Sequence, residues 1–283
     1  MKTVAISVSL SALYILVNLF IFFFSKGKLK SPDIINRKII LADLAILSIL
    51  FYFIIFALEY FSELKLNTIY FNVFVFVILS VIPAYWFSIQ PILIIRGKGL
   101  YKMPLIEQKY QDILGKYKLF VTNENFKNAY ALGVLRFTQA VIISKDLIED
   151  MGENNLGALI AHEVGHHKKK HLLKLYLVTL FVFLVGYTTS FYTDLVIDKY
   201  PTYVHLIRGF HGALFYGLFM WMLTTKAQKK HEYEADGYAA SVVGKESIIT
   251  CLEKLDELSD GSVAKGGPTH PPLSKRIEHI HSL

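Results

Sequence analysis

Five apolar runs, each long enough to cross a bilayer, constrain this chain more than any other feature of its sequence. They are Thr3 to Phe24, Ile39 to Leu58, Leu66 to Ile95, Leu175 to Thr193 and Pro201 to Thr225. About 20 apolar residues in a helix span a hydrocarbon core. A soluble chain of 283 residues has no use for 53% hydrophobic side chains, so the reading is a multi-spanning α-helical membrane protein. The first run is too long for a signal-peptide core. No small-residue cleavage site follows it, and Lys26, Lys28 and Lys30 come next, so it is read as a retained helix. Asp43 enters the second run near its start, where a carboxylate reaches interfacial water. Pro83 and Pro91 predict a kink or an early end in the third. The fifth holds His205, Arg208 and His211, with Arg208 reaching toward headgroups.

The net charge of +7 does not point to nucleic acid, because the basic residues gather at the ends of the apolar runs. One group lies between Ser25 and Lys38, and a second is Arg96, Lys98 and Lys102. Lys168 to Lys170 with Lys174 precede the fourth run, and Lys226, Lys229 and Lys230 follow the fifth. The alternate loops, Glu59 to Leu66 and Asp194 to Tyr200, hold only Lys65 and Lys199. All four basic groups fall on one side in a five-span arrangement with the N-terminus outside, and that side is the cytoplasm. The expected division is three spans in 1–96, a cytoplasmic part in 97–174, two spans in 175–225 and a second cytoplasmic part in 226–283.

Between the third and fourth spans the chain changes character. Pro104 to Tyr117 has helical spacing with Pro in the first turn. Leu119 to Thr122, Ala129 to Leu135 and Ala140 to Ser144 read as short strands. Ser144 or Asp146 is the expected cap of a helix through Met151, and Asn154 or Asn155 that of the next. That next helix carries His162-Glu163-Val164-Gly165-His166. Two histidines four apart project from one face of a helix, the spacing that lets one rigid element hold a metal ion. Glu163 beside them can take a proton from a metal-bound water.

A catalytic zinc takes three protein ligands and leaves a position open. Glu232, in His231-Glu232-Tyr233-Glu234-Ala235-Asp236, is the best source of the third, and Asp236, one turn on, can accept the ring N–H of a ligand histidine. His231, Glu234, His167 and His171 are competing candidates. His167 and His171 point partly off the His162/His166 face and are assigned to the surface or to support of the ligands, beside the lysines at the headgroups. If the motif helix runs unbroken into the fourth span, His166 lies roughly 14 Å before Leu175, and Glu232 lies roughly 10 Å beyond Thr225. Two antiparallel helices leaving the membrane would then hold the three ligands at similar height. Cys251 is the single cysteine and reads as a small core residue.

Ala161 to His167, Glu232 to Asp236 and Thr269 to Ile277, in that order, resemble the membrane metalloproteases of the HtpX and CAAX-prenyl-protease type. Asn128-Ala129-Tyr130-Ala131 is similar to a segment found upstream in that group. The resemblance covers about Gly97 to Leu283. It implies a zincin-like α+β catalytic part, one Zn2+ per chain on His162, His166 and Glu232, and Glu163 as general base and acid. It implies further that Asp236 orients a ligand histidine and that His270 stabilises an oxyanion. Asn128 to Ala131 would pair with an extended protein or peptide substrate, membrane-associated or misfolded, or with a prenylated peptide. Lys229 departs from the group, which usually has Arg there, and so does the number of spans before the catalytic part.

Three rival readings use the same residues. His162, His166, His167 and His171 resemble one histidine box of the membrane di-iron hydroxylases, but His205, His211, His231, His270, His279 and His281 form no second box. A non-enzymatic metal-binding scaffold would not need Glu163 beside its metal. An intramembrane protease would not place Lys168 to Lys170 directly after the motif.

Overall fold

The computed structural model describes residues 83–97, 99–123 and 127–283, with Ile49, Tyr52, Val77, Ser80 and Val81 besides. The first expected span, the second apart from Ile49 and Tyr52, Asp43, the basic loop after Phe24 and nearly half of the third span lie outside the described residues. The chain divides into two units, Met1–Ile82 with Arg96–Lys98, and Pro83–Ile95 with Gly99–Leu283. The second unit carries the site.

A three-stranded sheet lies under the motif helix. Its strands are β1 (Lys118–Thr122), β2 (Ala129–Leu132) and β3 (Ala140–Ser144), in the order β1-β3-β2. β1 pairs with β3 in parallel, and β2 pairs with β3 antiparallel. The central strand reads Ala-Val-Ile-Ile-Ser and is buried at every position, as a strand covered on both faces must be. β2 stops at Leu132 rather than running to Leu135. Gly133 turns there at φ +87°, and a Cβ on it would meet the Thr138 carbonyl oxygen at 2.3 Å.

Most of the unit is helical. A π-helical turn (Tyr85–Ile89) leads into α1 (Gln90–Gly97), and α2 (Pro104–Lys109) and α3 (Gln111–Leu114) precede the sheet. The expected single helix over Pro104 to Tyr117 is thus two, parted at Tyr110, whose ring hydroxyl reaches the Glu153 carbonyl at 2.8 Å. The π-helical turn falls where the expected kink lies. Pro91 has no N–H to give the Phe87 carbonyl, and Val134 N–H approaches that oxygen instead at 3.4 Å.

After β3 come α4 (Lys145–Met151) and the motif helix α5 (Glu153–Lys168). Ser144 sits at the cap position of α4 but makes no capping bond, because its hydroxyl accepts from Asn128 N–H at 3.1 Å. The residue before α5 is Gly152, not Asn154 or Asn155. α5 packs on a core of Leu119, Val141, Ile143, Leu147, Ile248 and Leu252. Cys251 belongs to that core, and burial pushes its thiol up to about 12, so it is inert.

Among the described residues, two helical runs are long and apolar enough to cross a membrane, His171–Lys199 and Leu206–Val243. The first is α6 (His171–Lys199). The second joins α7 (Val204–Gly212), a π-helical segment (Ala213–Phe219) and α8 (Met220–Val243), after a 3-10 turn at Pro201–Tyr203. The fourth apolar run falls inside the first, and the fifth, from Leu206 on, inside the second. α9 (Lys245–Leu258), α10 (Ser262–Lys265) and α11 (Leu273–Ser282) finish the chain.

One expectation about continuity fails. The apolar run leading to Glu232 is unbroken, but the motif helix does not continue into the fourth span. α5 ends at Lys168, Lys170 takes the left-handed conformation (φ +56°, ψ +37°), and α6 starts anew at His171.

Candidate metal centre

α5 and α8 make the most extensive helix pairing among the described residues, and a glycine lets them meet so closely. A Cβ on Gly165 would lie 3.2 Å from the Ala235 Cα, from its carbonyl oxygen and from the Tyr238 ring. The facing positions of α8, Ala235 and Ala239, are small and fully buried. Glu232, nearly one turn before Ala235, is thereby carried to His162 and His166. Gly165→Leu should destabilise the protein by about 1–3 kcal/mol, since backbone cannot yield as a side chain can. Thermal unfolding of the metal-free protein measures this, and an unchanged midpoint would refute the packing role.

The three donors converge. His162 Nε2 and His166 Nε2 are 3.2 Å apart, and each lies 3.6 Å from a Glu232 carboxylate oxygen. A tetrahedral zinc with bonds of about 2.0–2.1 Å needs ligand atoms about 3.3 Å from one another, so the set fits that ion. The electrostatics agree. Burial opposes a charge on His162, yet Asp236 and Glu232 outweigh it and raise its pKa to about 10. Burial, with His162 beside it, holds His166 well below its ordinary value. Glu232 and Asp236 thus favour a positive charge among the donors.

Each surrounding group has an identifiable anchor. Asp236 is fully buried, with Oδ1 2.9 Å from His162 Nδ1, off the line of a straight hydrogen bond. Arg276, from α11, grips that carboxylate with two bonds, Nε to Oδ2 at 2.7 Å and Nη2 to Oδ1 at 2.6 Å. Its Nη1 lies 3.5 Å from Glu232. Glu163 is buried beside the donors. Burial raises its carboxyl to about 7 and the Glu232 charge adds to this, against His162, the Ala131 backbone N–H and Arg276.

His162, Glu163, His166 and Glu232 line a cleft of about 230 Å³, with Asp236 and Arg276 behind them outside its lining. Ala129, Tyr130 and Ala131 form one wall, and among the described residues β3 is the only strand paired with theirs. Asn128 is not in the lining. It ties the start of β2 to β3, its carbonyl accepting from Ser144 N–H at 2.9 Å and its side-chain oxygen from Ala129 N–H at 3.0 Å. His270 stands exposed at the rim, with Nε2 3.6 Å from Glu232 and Nδ1 2.8 Å from the Thr269 hydroxyl. Gly266, at φ +65°, lets its loop close, and Gly267 N–H reaches the His270 carbonyl at 2.8 Å.

The placing of His167 and His171 at the surface beside lipid headgroups is corrected, while the other reading, support of the ligands, agrees with the contact of His171 to His166. Both are buried. His167 stacks on Tyr117 at 4.8 Å and donates from Nε2 to the Ala140 carbonyl at 3.0 Å. His171 contacts His166 and Glu234, and its ring stacks on His231 at 4.2 Å. Gly165 and Arg276 have no part in the sequence reading, although Arg276 lies inside the Thr269 to Ile277 segment.

A helix-borne pair of histidines, a carboxylate from a packed helix as the third donor and a buried acid over a cleft make a centre suited to one metal ion. Residues 105–283, more than half of the chain, match Peptidase family M48, and the chain belongs to that family. Protease HtpX of Hydrogenovibrio crunogenus is 27% identical over 179 residues, covering 55% of this chain and 60% of that protein. The Protease HtpX homolog of Methylacidiphilum infernorum is 24% identical over 187 residues, with 55% and 62% covered. The chain thus spans about 60% of the length of the curated relatives it matches. The crystal structure of S. mikatae Ste24p has the same fold, with a TM-score of 0.67 at 18% identity over 96% of this chain and 74% of that one.

Proposed function

We propose that the protein is a membrane-embedded zinc endopeptidase that cleaves membrane-associated or misfolded proteins at the cytoplasmic face. The observation that carries this is the placing of buried Glu163 beside three convergent donors, under a cleft walled by β2, the edge strand of the sheet among the described residues. A zinc ion on His162, His166 and Glu232 would supply Lewis acidity toward a carbonyl and an acidified water. The β2 edge, Ala129 to Ala131, aligns an extended substrate backbone by strand addition. Glu163 takes the proton of the attacking water and delivers it to the leaving nitrogen, a role suited to a carboxyl whose pKa lies near neutrality. His270 donates to the oxygen on which charge develops. Asp236, held by Arg276, keeps His162 oriented. The basic residues at Lys168 to Lys170 and at Lys226, Lys229 and Lys230 set the cleft at the cytoplasmic surface, with α6 and the run into α8 as membrane anchors.

Among the described residues, His162, His166 and Glu232 are the only group of three or more arranged to hold a metal ion, which favours one zinc over a di-iron centre. The test is cleavage of a membrane-anchored reporter polypeptide by the purified protein in lipid, with metal analysis alongside. Expected are one zinc per chain, loss of cleavage with a chelator and recovery on adding zinc. Two irons per chain, or cleavage indifferent to chelation, would overturn the reading.

A further inference from the structure

His162 has a carboxylate behind it at Nδ1, but His166 has a histidine there instead. Its Nδ1 lies 2.9 Å from Nδ1 of His171, and His171 Nε2 lies 2.9 Å from Glu234 Oε2. The same Glu234 oxygen takes Lys174 Nζ at 2.8 Å. Hydrogens can be assigned to this chain in one way once His166 Nε2 faces a metal. His166 Nδ1 must then carry the hydrogen and donate to His171 Nδ1, and the hydrogen of His171 must sit on Nε2 and donate to Glu234. Every group in the line is satisfied.

The break between α5 and α6 is what makes the contact. On an unbroken helix, residues five apart lie about 140° from each other around the axis, so His171 would face away from His166. The left-handed turn at Lys170 swings it back, and stacking on His231 holds the ring in plane. A non-glycine residue in that conformation marks a place where the surrounding structure imposes it.

We infer that His171, held by Glu234 and Lys174, is a positioning residue that fixes the tautomer and ring orientation of His166 for metal binding. It does for His166 what Asp236 does for His162. Partners of this kind commonly change metal affinity about 10–100-fold. The inference rests on the zinc-site reading above, and the experiment separates the two.

The measurement is the zinc dissociation constant of the full-length protein in detergent, by competition with a chromophoric chelator, together with the visible spectrum of the cobalt-substituted form. His171→Phe keeps a ring to stack on His231 but has no acceptor. It should weaken zinc binding about 10–100-fold and shift the cobalt bands. His171→Asn puts an oxygen where Nδ1 stood and should recover most of the affinity. Glu234→Gln should fall between. A wild-type protein that bound no zinc would remove the functional reading and this inference with it. If wild type binds and His171→Phe matches it in affinity and spectrum, the inference alone is overturned. Loss in His171→Phe with no recovery in His171→Asn would also overturn it, since that is the behaviour of a packing residue.

Discussion

Replacing Glu163 by glutamine should lower kcat/KM for polypeptide cleavage by about 10²–10⁴-fold, the range that a positioned proton-transfer group contributes. Zinc content should stay at the wild-type level, because Glu163 is not one of the converging donors. The substitution keeps shape and burial and removes only the capacity to accept a proton. The pH profile carries an independent sign. Glu163 works as a base only when ionised, so kcat/KM should fall with unit slope as pH drops through its pKa. Burial, with the Glu232 charge, sets that value at about 7, and with a cation on the three donors the limb moves below it. In Glu163→Gln the residual activity should show no such limb. A variant cleaving at wild-type rate, or a limb that survives the substitution, would remove Glu163 from the chemistry.

What the sequence makes legible is what periodicity and charge encode. The spacing of His162 and His166 survives any folding error smaller than a helical turn. Strands Ala140 to Ser144 and Lys118 to Thr122 are marked by β-branched and aromatic side chains. The ends of elements are set by contacts from far along the chain, and those cannot be read locally. Gly133 stops β2 because Thr138 folds over it. Tyr110 divides α2 from α3 by reaching Glu153. The break at Lys170 is the sharpest case. Three consecutive lysines carry no signal for a left-handed turn, so an unbroken helix is the natural expectation. That one backbone conformation moves His171 from a surface position to the ring of His166. Arg276 is hidden for a similar reason. It is 40 residues from Asp236 in sequence, and nothing local distinguishes it from the exposed bases around it.

The largest stability effect should come from Arg276. Its guanidinium is nearly inaccessible and is committed to a fully buried carboxylate, so Arg276→Met leaves Asp236 charged, desolvated and without its two donors. Removing one partner of a buried pair typically costs about 3–5 kcal/mol, because the remaining charge has lost its compensation while its desolvation is unchanged. The same reasoning fixes the sign of the companion experiments. Arg276→Lys should be intermediate, since an ammonium cannot reproduce the two-pronged grip on Asp236. Adding Asp236→Leu to Arg276→Met should restore much of the lost stability, because no orphan charge remains. It should not restore zinc binding, because His162 Nδ1 then has no carboxylate behind it, and affinity should stay about 10–100-fold down. Denaturation of the metal-free protein, beside zinc titration, distinguishes these outcomes. A single variant within about 1 kcal/mol of wild type would mean that water reaches Asp236 and solvates it. Recovery of both stability and zinc affinity in the double variant would mean that Asp236 has no part in orienting His162.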